Sequence, residues 1–112
     1  MAAGYQELFI EQGSDYITTI TLDDVDGMPY DLSGFTAKSQ IRKSYYSSNA
    51  TAEFTITITD PVTGVIGLNL DSANTANIAA GRYVYDVEIS DNITVSRVVE
   101  GIVTVTPQIT QI

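Results

Sequence analysis

The stretch Gly81-Arg82-Tyr83-Val84-Tyr85-Asp86-Val87-Glu88-Ile89 decides how the rest of the chain is read. Tyr83, Tyr85, Val87 and Ile89 fall on one side of a period-two repeat, and Val84, Asp86 and Glu88 on the other. Successive side chains of a strand point to opposite faces, so this pattern predicts a strand with one buried and one wet face. The same alternation recurs on both sides of it. Tyr16, Thr18, Ile20 and Leu22 oppose Ile17, Thr19 and Thr21, which predicts a strand from about Asp15 to Asp23. Ala37, Ser39 and Ile41 alternate with Lys38, Gln40 and Arg42, and Phe54, Ile56 and Ile58 with Thr55, Thr57 and Thr59. This last strand ends at Asp60-Pro61, because proline has no N–H to give a ladder. Thr63-Gly64 then turns the chain into a return arm, Val65 to Leu70, with Ile66, Leu68 and Leu70 inward.

Between these runs lie turn signals. Asp24-Val25-Asp26-Gly27, Ser33-Gly34 and Asp91-Asn92 carry the residues that accept left-handed backbone or bond to their own main chain. Met28-Pro29-Tyr30 is a short extended piece, and Tyr45 to Thr51 lacks apolar periodicity and reads as an exposed loop. Asp71 to Ala80 breaks the alternation; a polar cap followed by small residues predicts one helical turn crossing between sheets. A final strand, Ile93 to Val105, contains Gly101, expected to mark a bulge or bend, before Pro107. The sum is an all-β fold of about seven or eight antiparallel strands, a sandwich or barrel, in a single domain spanning 1–112 with its core at about 7–106.

Composition removes whole classes of chemistry. The 112 residues include no cysteine and no histidine. No disulfide or thiolate is available, and serine-histidine and cysteine-histidine catalysis are excluded. Fourteen acidic against 5 basic residues give a net charge of -9, which repels nucleic-acid phosphates and anionic membranes. Residues 1 to 37 hold Glu7, Glu11, Asp15, Asp23, Asp24, Asp26 and Asp31 and no base, whereas Lys38, Arg42 and Lys43 cluster just beyond. The N-terminus has no secretory pattern, and no apolar run approaches the ~20 residues of a membrane span.

Motifs that imitate a site have plainer readings. Asp24-x-Asp26-Gly27 begins like a calcium loop, yet the twelfth position, where a bidentate Glu is needed, is Phe35, so the run is a turn. Asp86 and Glu88 lie on a wet strand face, where ion pairing across the sheet with Arg97 is expected instead of acid–base catalysis. Asn49-Ala50-Thr51 and Asn92-Ile93-Thr94 fit the glycosylation pattern, which a threonine-rich chain produces by chance. Tyr45 and Tyr46 read equally as aromatic anchors of an interface or as caps on an edge strand.

Ala80-Gly81-Arg82-Tyr83-Val84-Tyr85-Asp86-Val87 resembles the E–F corner and F strand of immunoglobulin-like domains. Tyr83 takes the place of the corner tyrosine, and Tyr85 stands where antibody domains carry cysteine. With Gln12-Gly13-Ser14-Asp15-Tyr16, Asp26 to Phe35, Ala37 to Arg42 and Gly64 to Leu70, the order of motifs is similar to the Ig-like modules of phage and prophage virion proteins, including the N-terminal module of baseplate upper proteins. The match covers roughly residues 9 to 106.

The resemblance implies an Ig-like β-sandwich without disulfide. It implies a non-catalytic accessory or connecting subunit of tail, baseplate or capsid, made in a host cytoplasm and carried on the virion. Its expected partners are other virion proteins and copies of itself, with no cofactor, metal, nucleic acid or membrane. Expected interface residues are Tyr45, Tyr46, Phe54, Ile56 and Ile58, because the uncharged Phe54 to Thr59 run is an aggregation hazard unless a partner chain covers it or it lies centrally in its sheet. The alternative is a carbohydrate-binding or adhesin module in which Tyr45 and Tyr46 stack on a glycan.

Overall fold

The computed structural model describes residues 4–23 and 26–110, so Asp24 and Val25 of the first turn lie outside the described residues. Two sheets pack face to face. The larger contains β1 (Gly4–Tyr5), β2 (Leu8–Glu11), β4 (Thr36–Arg42), β5 (Ala52–Glu53), β8 (Gly81–Ser90) and β9 (Val95–Thr106). Its order is β1-β9-β8-β4-β5, with β2 also on β9. The smaller contains β3 (Tyr16–Thr21), β6 (Thr55–Asp60) and β7 (Val65–Leu70) in the order β3-β7-β6.

Each run of alternation found in the sequence buries the expected side. Tyr83, Tyr85, Val87 and Ile89 are buried from β8, and Ile66, Leu68 and Leu70 from β7. They meet Ile20, Leu22 and Ile41 in one core spanning both sheets. The crossing between sheets at 71–80 is the single helical turn α1 (Ser72–Ala76), whose N-cap Asp71 accepts from the Asn74 amide. Thr75, fully buried, accepts from the Gly13 amide and donates to the Ser14 carbonyl, pinning α1 to the β2–β3 turn.

Four expectations need correction. The sheet is not wholly antiparallel, because β1 and β2, too short to show a clear alternation, run parallel to β9. The last strand starts at Val95: the Asp91 carboxylate accepts from the Ile93 and Thr94 amides and holds Ile93 in the turn. Gly101 is no bulge. It stands in register with Tyr85, and the irregularity of β9 falls where Val87 pairs Val99 and Glu88 pairs Arg97, leaving Val98 extra. What Gly101 provides is room: a Cβ there would collide with the Gln6 carbonyl, the group that accepts the Tyr85 hydroxyl at 2.7 Å.

The fourth concerns Phe54. The run from Ala52 to Thr59 is divided between the sheets, with β5 on β4 and β6 on β7. Phe54 is the crossing point. Its amide donates to the Ser39 carbonyl of β4 at 3.0 Å, and its ring lies in the core beside Tyr16 and Tyr85. Only 3% exposed, Phe54 is a core residue and has no side-chain surface to offer a partner.

Candidate functional site

On the outer face of the larger sheet, β4, β8 and β9 align Gln40, Arg42, Asp86, Arg97 and Glu100 around a hollow of about 210 Å³, with Tyr45 on its wall. Arg97 bridges Asp86 at 3.5 Å and Glu100 at 2.9 Å. Arg42 donates to the Gln40 side chain and to the Ser47 carbonyl, both at 2.8 Å, so it also ties down the loop that carries the two tyrosines. Partial burial raises the Asp86 pKa above the ordinary carboxylate value; Glu88 adds to the rise and Arg97 opposes it. The basin holds hydrogen-bonding groups and one aromatic wall, but no nucleophile with a base to activate it. Tyr45 is 69% and Tyr46 96% exposed, so both remain open to a ligand or partner.

The second surface is the rim of the smaller sheet. Leu22 donates to the Gly64 carbonyl at 2.8 Å, so in this antiparallel ladder the even-numbered residues of β3 bond toward β7. Ile17, Thr19 and Thr21 therefore turn their main-chain groups outward. On β7 the odd-numbered residues bond toward β6, opposite Thr55 and Thr57, which leaves Ile56 and Ile58 facing outward on the far rim. Both β3 and β6 end the sheet. The side chains of Ile56 and Ile58 are half-buried against the core, so what they present is chiefly backbone.

Tyr83 sits at the end of β8 and donates its hydroxyl to the Ala79 carbonyl at 2.6 Å, with Lys43 Nζ 4.7 Å from its ring centre. It is buried and shapes the corner without facing a ligand. The structure thus gathers Tyr45 with the polar basin, sets Ile56 and Ile58 on a rim, and places Phe54 and Tyr83 inside.

Sequence reading missed the β3 rim, although Tyr16 to Thr21 is as free of charge as the β6 run that drew attention. It also missed Gln40, Arg42 and Glu100 as neighbours of Tyr45; their common feature, polar residues on the wet faces of three strands, becomes a site only once the pairing is known.

Among the described residues no group of three or more metal-capable side chains lies together, and no helix is long and apolar enough to cross a membrane.

The chain is similar to the crystal structure of the Lin-41 filamin domain, with a TM-score of 0.50 and 13% sequence identity, over 88% of this chain and 82% of that one. No protein-family model matches, and no curated protein sequence does. The likeness shows the fold: an immunoglobulin-like β-sandwich, here held without any cysteine.

Proposed function

We propose that this domain is a non-catalytic assembly module of a phage virion, joining tail, baseplate or capsid parts by protein–protein contact. The observation that carries the assembly reading is the smaller sheet, whose two end strands are uncharged through Tyr16–Thr21 and Thr55–Thr59 and are paired on one side only. Natural sheets blunt such rims with charge, proline or a very short end strand unless a partner covers them. The phage attribution rests on the order and spacing of the motifs from Gln12 to Val87 and their resemblance to virion Ig-like modules.

Mass spectrometry of gradient-purified particles from the source host tests this reading. The domain is expected at a copy number that follows particle symmetry. Its presence only in the particle-free fraction would overturn the proposal.

The basin beside Tyr45 favours a second reading, a glycan-binding module, because polar side chains with an adjacent aromatic wall suit a sugar ring. Under that reading oligosaccharides shift the backbone resonances of Gln40, Arg42 and Glu100, and Tyr45→Ala abolishes the shifts. Under the assembly reading no oligosaccharide produces them.

A further inference from the structure

We infer that the occupant of the β6 rim is β6 of a second copy of this chain, related by a two-fold axis through Thr57. The inference rests on the assembly reading above and names the partner. Three features of the rim select it.

The first is the hydrogen-bond register. Ile56 and Ile58 turn their amides and carbonyls outward, whereas the next residue in that series, Phe54, has already donated its amide to Ser39. An antiparallel two-fold pairing that sets Ile56 opposite Ile58 of the second copy matches the outward amides and carbonyls of both residues. A shift by two residues in the direction of Phe54 would meet an occupied amide. This register also places Thr57 opposite Thr57 of the second copy, and brings the half-buried Ile56 and Ile58 side chains together as β-branched cross-strand pairs.

The second feature is charge. Thr55 to Ile58 carries none, so no carboxylate faces a carboxylate along the paired segment. The β3 rim fails this test. Pairing all three of its outward residues about a two-fold axis through Thr19 puts Asp15 directly opposite Asp23 of the second copy, a like-charge pair at each end. The same uncharged composition therefore self-pairs on one rim and is barred from doing so on the other.

The third feature is the surroundings. The β4, β5 and β6 strands on this side hold two basic residues, Lys38 and Arg42, and two acidic ones, Glu53 and Asp60, with Lys43 just beyond. Residues 4–23 hold four carboxylates and no base. In a molecule of net charge -9, two copies meet with least repulsion along the β4–β5–β6 side.

Disulfide trapping tests the register directly, since the chain has no cysteine of its own. Across a non-hydrogen-bonded antiparallel pair the Cα atoms lie about 4.5 Å apart, within reach of a disulfide. Thr57→Cys is therefore expected to form a covalent dimer under mild oxidation. Thr55→Cys, offset from its own image by about 13 Å, and Thr19→Cys, on the barred rim, are expected to stay largely reduced. All three positions are exposed, and circular dichroism shows whether each variant is folded.

Thr57→Lys sets two ammonium groups face to face and is expected to weaken dimerisation about tenfold in sedimentation equilibrium. A folded Thr57→Cys that stays reduced, or cross-links no faster than Thr55→Cys, overturns the two-fold register. So does a Thr57→Lys variant that dimerises as well as the parent. If particles contain the domain while Thr57→Cys fails to cross-link, the dimer is refuted and the assembly reading stands; a trapped dimer absent from particles gives the reverse.

Discussion

The two sheets treat their borders in opposite ways. The larger ends in β1 and β5, two residues each, and the neighbouring border strand β2 is preceded by Glu7 and ends in Glu11. Its outer face carries the Arg97–Asp86–Glu100 ion cluster and a Lys38–Glu53 pair at 4.0 Å. The smaller sheet ends in β3 and β6, six residues each, and from Tyr16 to Thr21, Thr55 to Ile58 and Val65 to Leu70 it has no charged residue. Short strands and charge are the ordinary means of stopping unwanted strand addition. The larger sheet uses both, while the smaller sheet leaves backbone groups open on rims of uncharged residues. The ordinary barriers to strand addition are thus present on the larger sheet and absent from the two uncharged rims of the smaller.

The core beneath is common to both sheets, and cutting it is the severest way to test that shared dependence. Leu68, fully buried on the central strand β7, belongs to the core that both sheets share, so Leu68→Ala is expected to cost about 3 kcal/mol in urea unfolding. A loss confined to the smaller sheet, seen as two separate transitions, would show that the sheets are not one cooperative unit.

Next in size comes Gly101→Ala. Its Cβ would drive the Gln6 carbonyl off the larger sheet, with an expected cost of about 2 kcal/mol and loss of amide protection at the β1–β2 border. Tyr85→Phe and Tyr83→Phe each leave a carbonyl without its donor, Gln6 in one case and Ala79 in the other, and should cost about 1 kcal/mol at unchanged slope. An unaltered midpoint for Tyr83→Phe would remove that hydroxyl from any role at the corner.

The smallest effect belongs to the wet face. Burial and Glu88 lift the folded-state pKa of Asp86, so the contribution of this group favours folding below its unfolded value and is lost as pH rises through the folded one. Asp86→Asn is therefore expected to raise the urea midpoint slightly at pH 7, with the gain disappearing in acid. A lower midpoint at pH 7 would mean that the Arg97 bridge outweighs desolvation.

The strands that bury one face were legible from their sequence, as in Tyr83 to Ile89, because period-two alternation is a local consequence of burial. The corner was legible through Gly81-Arg82-Tyr83, and the helical turn through Asp71. Pairing was not. Leu8 and Ile10 are both buried, but a strand of four residues gives too few repeats to stand out, and nothing local says that it runs parallel to β9. Phe54 continued the alternation of Ile56 and Ile58 unbroken, so the change of sheet there left no trace in the pattern. Gly101 had the composition of a bulge, yet the constraint on it is a carbonyl from Gln6, distant in sequence. Tyr45 and Tyr46 stood out as exposed aromatics, whereas the basin beside them depends on the order of β4, β8 and β9.

Residue-resolved amide exchange, compared between dilute and concentrated or assembled protein, tests most directly whether the smaller sheet is the interaction surface. New protection of the Ile56 and Ile58 amides is expected, with Ile17, Thr19 and Thr21 still exchanging and the outer face of β8 unchanged. Protection appearing around Arg42, Tyr45 and Asp86 with the β6 rim still open would contradict it.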